Sequence, residues 1–200
     1  MGLNFRRQEP DPHLTQPIET ERFRLVNCNH REAIKVTLPW RSDSEILHNL
    51  MMKKSSYTRL EWVRAMGKPD GNTTFYHAIV SKEVRGTIGT HRVNLDSSGT
   101  ASMAIVIHAR DWWGKDVFEE VRTAILDHFS GSDKVERFFG RVLSRNFSSI
   151  YNYNKLGFRL IGYDRSAWLS PLTSEHCDTM HYEMLKRDWL ARKGGRDNDD

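Results

Sequence analysis

Between Phe75 and Leu185 the apolar residues change their period several times, and that change limits the folds open to the chain. Phe75–Val80, Gly86–Val93 and Ala101–His108 alternate as strands, with polar turns at Ser81–Arg85 and Asp96–Gly99 between them. Strands so connected predict an antiparallel meander. Val117, Val121, Ala124, Ile125 and His128 then recur at helical spacing, predicting an amphipathic helix over residues 114–129. Arg137–Leu143 reads as a strand, Asn146–Leu156 as a helix closed by Gly157, and Phe158–Tyr163 and Thr179–Leu185 as the last strands. A meander followed by interleaved strands and helices predicts an α/β (α+β) domain, a mixed and mostly antiparallel central sheet flanked by helices.

The N-terminal part supplies one more strand, Phe23–Val26, and three helices. Asn29 caps the first, Ser42–Glu45 opens a second carrying Ile46, Leu47, Leu50 and Met51, and Thr58–Met66 is the third. Gly67 ends it, and Lys68–Gly71 turns the chain back toward the meander. A chain of 200 residues accommodates one such domain and hardly two. Residues 1–17, polar and carrying Pro10, Pro12 and Pro17, read as an extended arm; 18–192 form the domain; 193–200 read as a disordered tail.

Composition excludes several classes. With 38% hydrophobic residues the chain can build a core, so it is not a disordered protein. No apolar run approaches the ~20 residues of a membrane helix. The net charge of +4 comes from dispersed basic residues, which argues against a nucleic-acid partner and suits a small anionic ligand. Cys28 and Cys177 are far apart and no Cys/His cluster has metal-site spacing, so no metal is expected. No apolar segment follows the N-terminal arginines, so no signal peptide is read, and a cytoplasmic location is expected.

Two stretches could carry chemistry. In Ile105-Val-Ile-His-Ala-Arg-Asp-Trp-Trp-Gly-Lys-Asp-Val117 a strand passes through a glycine turn into a helix. A helix start exposes unpaired N–H groups and the positive end of the helix dipole, and Gly114 lets backbone approach a ligand closely. Taken alone this is an ordinary strand-to-helix turn, and Trp112 and Trp113 read as packing residues. In Asn146-Phe-Ser-Ser-Ile-Tyr-Asn-Tyr-Asn-Lys-Leu-Gly-Phe158, Asn146 caps a helix that Gly157 ends. Tyr153 on that helix can donate a proton as well as pack.

The pair of stretches, in this order, resembles the GNAT superfamily of acetyl-CoA-dependent N-acetyltransferases, in particular its ribosomal-protein alanine N-acetyltransferase branch. Ile18-Glu-Thr-Glu-Arg-Phe-Arg-Leu25 is similar to that branch's TERLxLR strand, and Trp113-Gly-Lys-Asp-Val-Phe-Glu-Glu120 to its WGKGYATEA loop. Asn146, Ser149, Lys155, Leu156, Gly157 and Phe158 match NxxSxxxxEKLGF. The resemblance implies a cosubstrate, acetyl-CoA, whose pyrophosphate lies on the amides of Gly114, Lys115, Asp116 and Val117 beside Trp113. It implies that the pantetheine arm pairs with Val106, Ile107 and His108, and that Asn146 hydrogen-bonds that arm. It also places Tyr153 against the cofactor, as the acid that protonates the departing thiolate after direct attack by a primary amine.

Asp111 stands where the loop often begins with Gln or Arg, and Asp116 replaces the second loop glycine. With the Asp116 side chain turned outward the backbone still binds phosphate; turned inward, it would weaken that binding. His108 is the candidate base for the amine, though it reads equally as a strand-end histidine that packs or touches cofactor; His91, His181 and Glu183 are weaker candidates. The implied acceptor is a small-molecule amine or a protein N-terminus, and the implied assembly a monomer or homodimer. A non-catalytic acyl-CoA-binding or sensor domain of the same fold is the alternative.

Overall fold

The computed structural model describes residues 9–84 and 86–196. Its strands are β1 (Ile18–Glu19), β2 (Phe23–Asn27), β3 (Thr74–Ser81), β4 (Thr87–Leu95), β5 (Thr100–Ile107), β6 (Arg137–Leu143), β7 (Arg159–Leu169) and β8 (His176–Leu185). Its helices are α1 (His30–Thr37), α2 (Ser44–Asn49), α3 (Arg59–Ala65), α4 (Val117–Ser130), α5 (Phe147–Lys155) and α6 (Lys186–Arg196). The strands form one sheet in the order β1-β2-β3-β4-β5-β6-β8-β7. Every pair is antiparallel except β5 with β6, which α4 connects. The mixed, mostly antiparallel sheet expected from the residue pattern is the one observed.

Capping residues set the helix starts. Asn29 with Glu32 and Thr58 with Glu61 form capping boxes on α1 and α3, and Asp43 and Asn146 cap α2 and α5. One sheet face packs on α4, α5 and α6 through Val121, Ile125, Phe129, Tyr153 and Trp189. The other packs on α1–α3 through Ala33, Leu47 and Trp62, with Tyr76, Ala78 and Val106 from the sheet. Glu120 fixes the first turn of α4, accepting hydrogen bonds from Thr20 Oγ1 (2.6 Å), the Arg22 amide (2.8 Å) and Arg22 Nε (2.6 Å). Among the described residues no helix is long and apolar enough to cross a membrane. Both cysteines are free.

Three segments differ from the sequence reading. The expected arm is docked where it is described: Pro12–Thr15 form a 3-10 turn capped by Asp11, and Leu14 is 1% exposed within the larger core. The last two strands are longer than expected, since β7 reaches Leu169 and β8 begins at His176. Alternation there is broken by bulges between Asp164 and Trp168, which hid the pairing. Helix α6 carries too few apolar residues to show a periodic stripe, and Trp189 anchors it by burial and by donating to Asp127 (3.0 Å). It continues to Arg196, into the expected tail; residues 197–200 lie outside the described residues.

Two histidines sit inside this core. His77 and His91 pair across β3 and β4, are fully buried, and have no hydrogen-bond partner for either ring nitrogen. Burial, helped by the nearby His128, pushes His77 down to about 3. Burial, then Arg122, then His77 hold His91 well below the ordinary value.

Leu14→Ala should lower the unfolding free energy by about 2–5 kcal/mol in a urea titration, because the docked turn leaves a cavity on truncation. Acid should destabilise the protein through the buried histidines. Below about pH 6.5 the unfolded chain binds their protons and the folded chain does not, so stability is lost as pH falls from there. The slope is up to about 1.4 kcal/mol per pH unit for each residue. Urea midpoints between about pH 6 and 4 should show a shallower slope for His77→Leu than for the parent chain.

Candidate active site

Parallel pairing between β5 and β6 covers only Thr100–Ser102 against Arg137–Phe139. Beyond that point β5 stays with β4 as far as Ile107, and β6 stays with β8 as far as Leu143. The strands part, and Met103–Ile107 present an unpaired backbone edge to the gap. The gap opens into a cleft of about 1000 Å³. Val106, Ile107, Trp113, Gly114, Asp116, Val117, Asn146 and Tyr153 all line it. The two stretches singled out in the sequence therefore meet on opposite walls of one cleft.

The turn ahead of α4 forms one end of the cleft. Gly114 has φ +72, and a Cβ placed there would meet nothing within 4 Å, so its outer side is open. Asp116 adopts φ 54, left-handed backbone that Asp tolerates better than most residues. Its carboxylate lies 3.3 Å from Lys155 Nζ and its side chain is 71% exposed, while Glu119 meets the same lysine. Among the described residues, the backbone N–H groups of Gly114, Lys115, Asp116 and Val117 donate to no protein acceptor. The departure at Asp116 thus leaves the amide array intact, with the carboxylate tied to α5. Lys115 stacks on Trp112 with its ammonium 5.5 Å from the ring. Asp111, in the 3-10 turn before the loop, does not line the cleft.

Trp113 donates to the Ile107 carbonyl (2.8 Å), which engages one acceptor of the β5 edge. Arg110 lies 4.2 Å over the Trp113 ring and pairs with Asp43 and Glu45, locking the loop to α2.

Tyr153 sits at the throat where β5 and β6 part. Its ring stacks on Tyr182 with centroids 5.0 Å apart and meets Phe118 and Phe158 edge-on. Its phenol lies on Gly140 of β6, where any Cβ would overlap the phenolic oxygen. Asn146 caps α5 by accepting from the Ser149 amide (3.2 Å) and Ser148 Oγ (3.1 Å), which leaves its side-chain NH2 free to donate.

His108 does not join this group. Its amide donates to the Ile88 carbonyl on β4, burial lowers the imidazole, and the side chain is not among those lining the cleft. Ala109 bonds to the same carbonyl, so the strand bulges after His108, which itself keeps the β4–β5 register opposite Ile88. The other candidate bases also lie elsewhere: His91 is enclosed in the core, His181 faces Asp164, and Glu183 is paired with Arg137 and Arg159.

Sequence reasoning missed the residues that shape the cleft interior. Phe118 and Arg122 line it from α4, and Trp62, Met66, Tyr76 and Arg92 line its other mouth, from the α1–α3 side of the sheet. Arg122 had a signal: it falls between Val121 and Ile125 on the buried stripe of α4, a position where a charge is out of place. Gly140 had none, because its role depends on a side chain thirteen residues away in sequence.

The chain matches the sequence model of the acetyltransferase (GNAT) domain over residues 22–159. No curated protein matches it in sequence with significance. Several solved structures share its fold. A spermidine N-acetyltransferase from Vibrio cholerae, in complex with CoA and spermine, superposes with TM-score 0.70 at 14% identity, covering 83% of this chain and 98% of that one. RimL, a ribosomal L7/L12 α-N-protein acetyltransferase in complex with coenzyme A, gives 0.72 at 14%, covering 87% and 99%. A ribosomal-protein-S5-alanine acetyltransferase from Vibrio fischeri gives 0.70 at 15%, covering 87% and 98%. At these identities the likeness is one of fold.

The seat of Tyr153 can be tested by stability alone. Gly140→Ala should cost about 1–3 kcal/mol by overpacking. In a double-mutant cycle by urea unfolding, most of that cost should vanish in a Tyr153→Ala background, where the added methyl meets no ring.

Proposed function

The chain belongs to the GNAT acetyltransferase family, and from that premise we propose that its cleft binds acetyl-CoA and transfers the acetyl group to a primary amine. The observation that carries this reading is the unpaired β5 edge, running from the open amides at Gly114–Val117 to the phenol of Tyr153. The four amides and the N-terminal end of α4 hold the pyrophosphate, beside Trp113. The β5 edge takes the pantetheine arm as an added strand at Val106 and Ile107, as peptides add to an exposed sheet edge. The Asn146 side-chain NH2 donates to the same arm from the opposite wall. Acetyl-CoA supplies an activated acyl group as a thioester.

The β5 amides toward Met103 polarise the carbonyl while the amine attacks. Tyr153 gives its proton to the departing sulfur. Its ring is clamped by Tyr182, Phe118 and Phe158, so the hydroxyl is held in one place before substrate arrives. The carboxylate at Asp116, which favoured a non-catalytic binding domain, is drawn to Lys155 and leaves the phosphate amides unopposed.

The acceptor enters past Trp62, Met66 and Tyr76, on the face opposite α4. Among the described residues the cleft lining contains no histidine, and its carboxylates are Glu45, paired with Arg110, and Asp116, paired with Lys155. The reading that needs no base in the lining is one in which the amine arrives already neutral. An α-amino group, with a pKa near about 8, does so far more readily than an alkylamine near about 10. This favours a peptide or amino-acid N-terminus over a polyamine.

Tyr153→Phe should lower kcat by roughly 10²-fold or more, measured by thiol release, with the Kd for acetyl-CoA unchanged by calorimetry. Undiminished turnover removes Tyr153 from the reaction. A parent chain that shows no binding of CoA or acetyl-CoA overturns the reading as a whole.

A further inference from the structure

Acetyl transfer leaves one residue of the cleft unexplained. Arg122 projects from the second turn of α4, is 1% exposed, and its Nε and Nη1 have no hydrogen-bond partner. Its guanidinium lies 4.8 Å from the Phe118 ring centre and 5.4 Å from that of Tyr153, and it lines the cleft. Among the described residues it forms no ion pair. Two aromatic faces offset part of the charge, but a buried guanidinium without an anion is costly to keep. An arriving anion removes that cost, and the planar fork of Arg fits a carboxylate.

The position of Arg122 identifies which molecule brings the anion. It lies on the α4–α5 face of the sheet with Tyr153, whereas the acceptor mouth at Trp62, Met66 and Tyr76 belongs to the α1–α3 face. The anion therefore comes with the acyl donor. It is not a phosphate of the donor: on the reading above these sit at the open helix start and beyond it, whereas Arg122 is 1% exposed and lies against Tyr153, the residue placed at the thioester. The open part of β5 faces the same side: Ile105 and Ile107 pack on the core cluster that holds Phe118 and Tyr153, the two rings Arg122 lies against. A pantetheine arm is uncharged. The acyl group remains.

We propose that the cleft takes acyl-CoA donors whose acyl chain ends in a carboxylate, such as malonyl- or succinyl-CoA, with that carboxylate held by Arg122 between Phe118 and Tyr153. The inference rests on the reading of the cleft as a CoA site. In the reaction the acceptor nitrogen bonds to the thioester carbon and the carbon–sulfur bond breaks. One proton leaves the nitrogen, one is gained by sulfur, and the distal carboxylate passes unchanged into the amide.

Calorimetric Kd values for CoA, acetyl-CoA, butyryl-CoA and succinyl-CoA test this on the parent chain, Arg122→Met and Arg122→Lys. Butyryl-CoA matches succinyl-CoA in carbon count and lacks the charge, so the ratio of the two isolates the carboxylate within each protein. The parent chain should favour succinyl-CoA by tenfold or more; Arg122→Lys should keep part of that ratio and Arg122→Met should lose it. If Arg122→Met fails to fold, the parent ratio and Arg122→Lys still decide. Binding of CoA and acetyl-CoA with no preference for succinyl-CoA overturns this inference alone. A preference that survives in Arg122→Met overturns the assignment to Arg122. Failure of every ester and of CoA to bind overturns the acetyltransferase reading, and this inference with it.

Discussion

The site depends on where one row of hydrogen bonds stops. β5 and β6 are the only parallel neighbours in the sheet, and they pair over three residues before separating. Had the ladder continued, the outward-facing backbone groups of Met103 and Ile105 would be satisfied within the protein and the cleft would be closed. Separation leaves them unpaired beside a space that side chains fill only in part. Phe118 and Arg122 rise into it from α4, and Tyr153 from α5. Unpaired backbone groups need partners, and an extended polar ligand along β5, as proposed above, would supply them.

Close packing around Tyr153 holds its phenol at the throat of that opening. The absence of a side chain at Gly140 lets the phenol settle on β6, and Tyr182 holds the ring from the other side. Three aromatic neighbours and a guanidinium restrict it to one orientation. The same crowding explains why Arg122 can be fully buried without a carboxylate: it is held by stacking between two rings, with its donors left for something that enters the cleft. At the far end of the cleft, electrostatics chooses between the two orientations the sequence left open for Asp116. A carboxylate in a phosphate loop is unfavourable only if it faces the phosphate, and Lys155 provides a better partner on the outside.

Most of the architecture was legible from residue pattern. The meander, α4, β6 and α5 each carried either alternation or a helical stripe; all formed within a residue or two of their expected bounds except the start of α4, which comes three residues later than expected, at Val117. The hairpin β7–β8 was seen only at its inner half, because bulges break the alternation that marks a strand. Leu14 and α6 were hidden for a different reason: one leucine in a polar segment and one tryptophan in a charged one carry no period. Their burial is decided by the surfaces they meet. His108 keeps the register of β5 opposite Ile88 but lies outside the cleft lining, because the strand bulges just beyond it.

The local elements of this protein, including the helix starts capped by Asn29 and Asn146 and the glycine turn at Gly114, were determined by the sequence alone, since caps, turns and periodicity act over a few residues. Membership of the acetyltransferase family also follows from motifs short enough to read directly. Only the tertiary structure decided that β5 and β6 part after Ser102, that Asp116 turns to Lys155, and that Arg122 is buried unpaired beside Tyr153. Each of these is a contact between segments distant in the chain, and its energy depends on burial and distance, which no local pattern encodes.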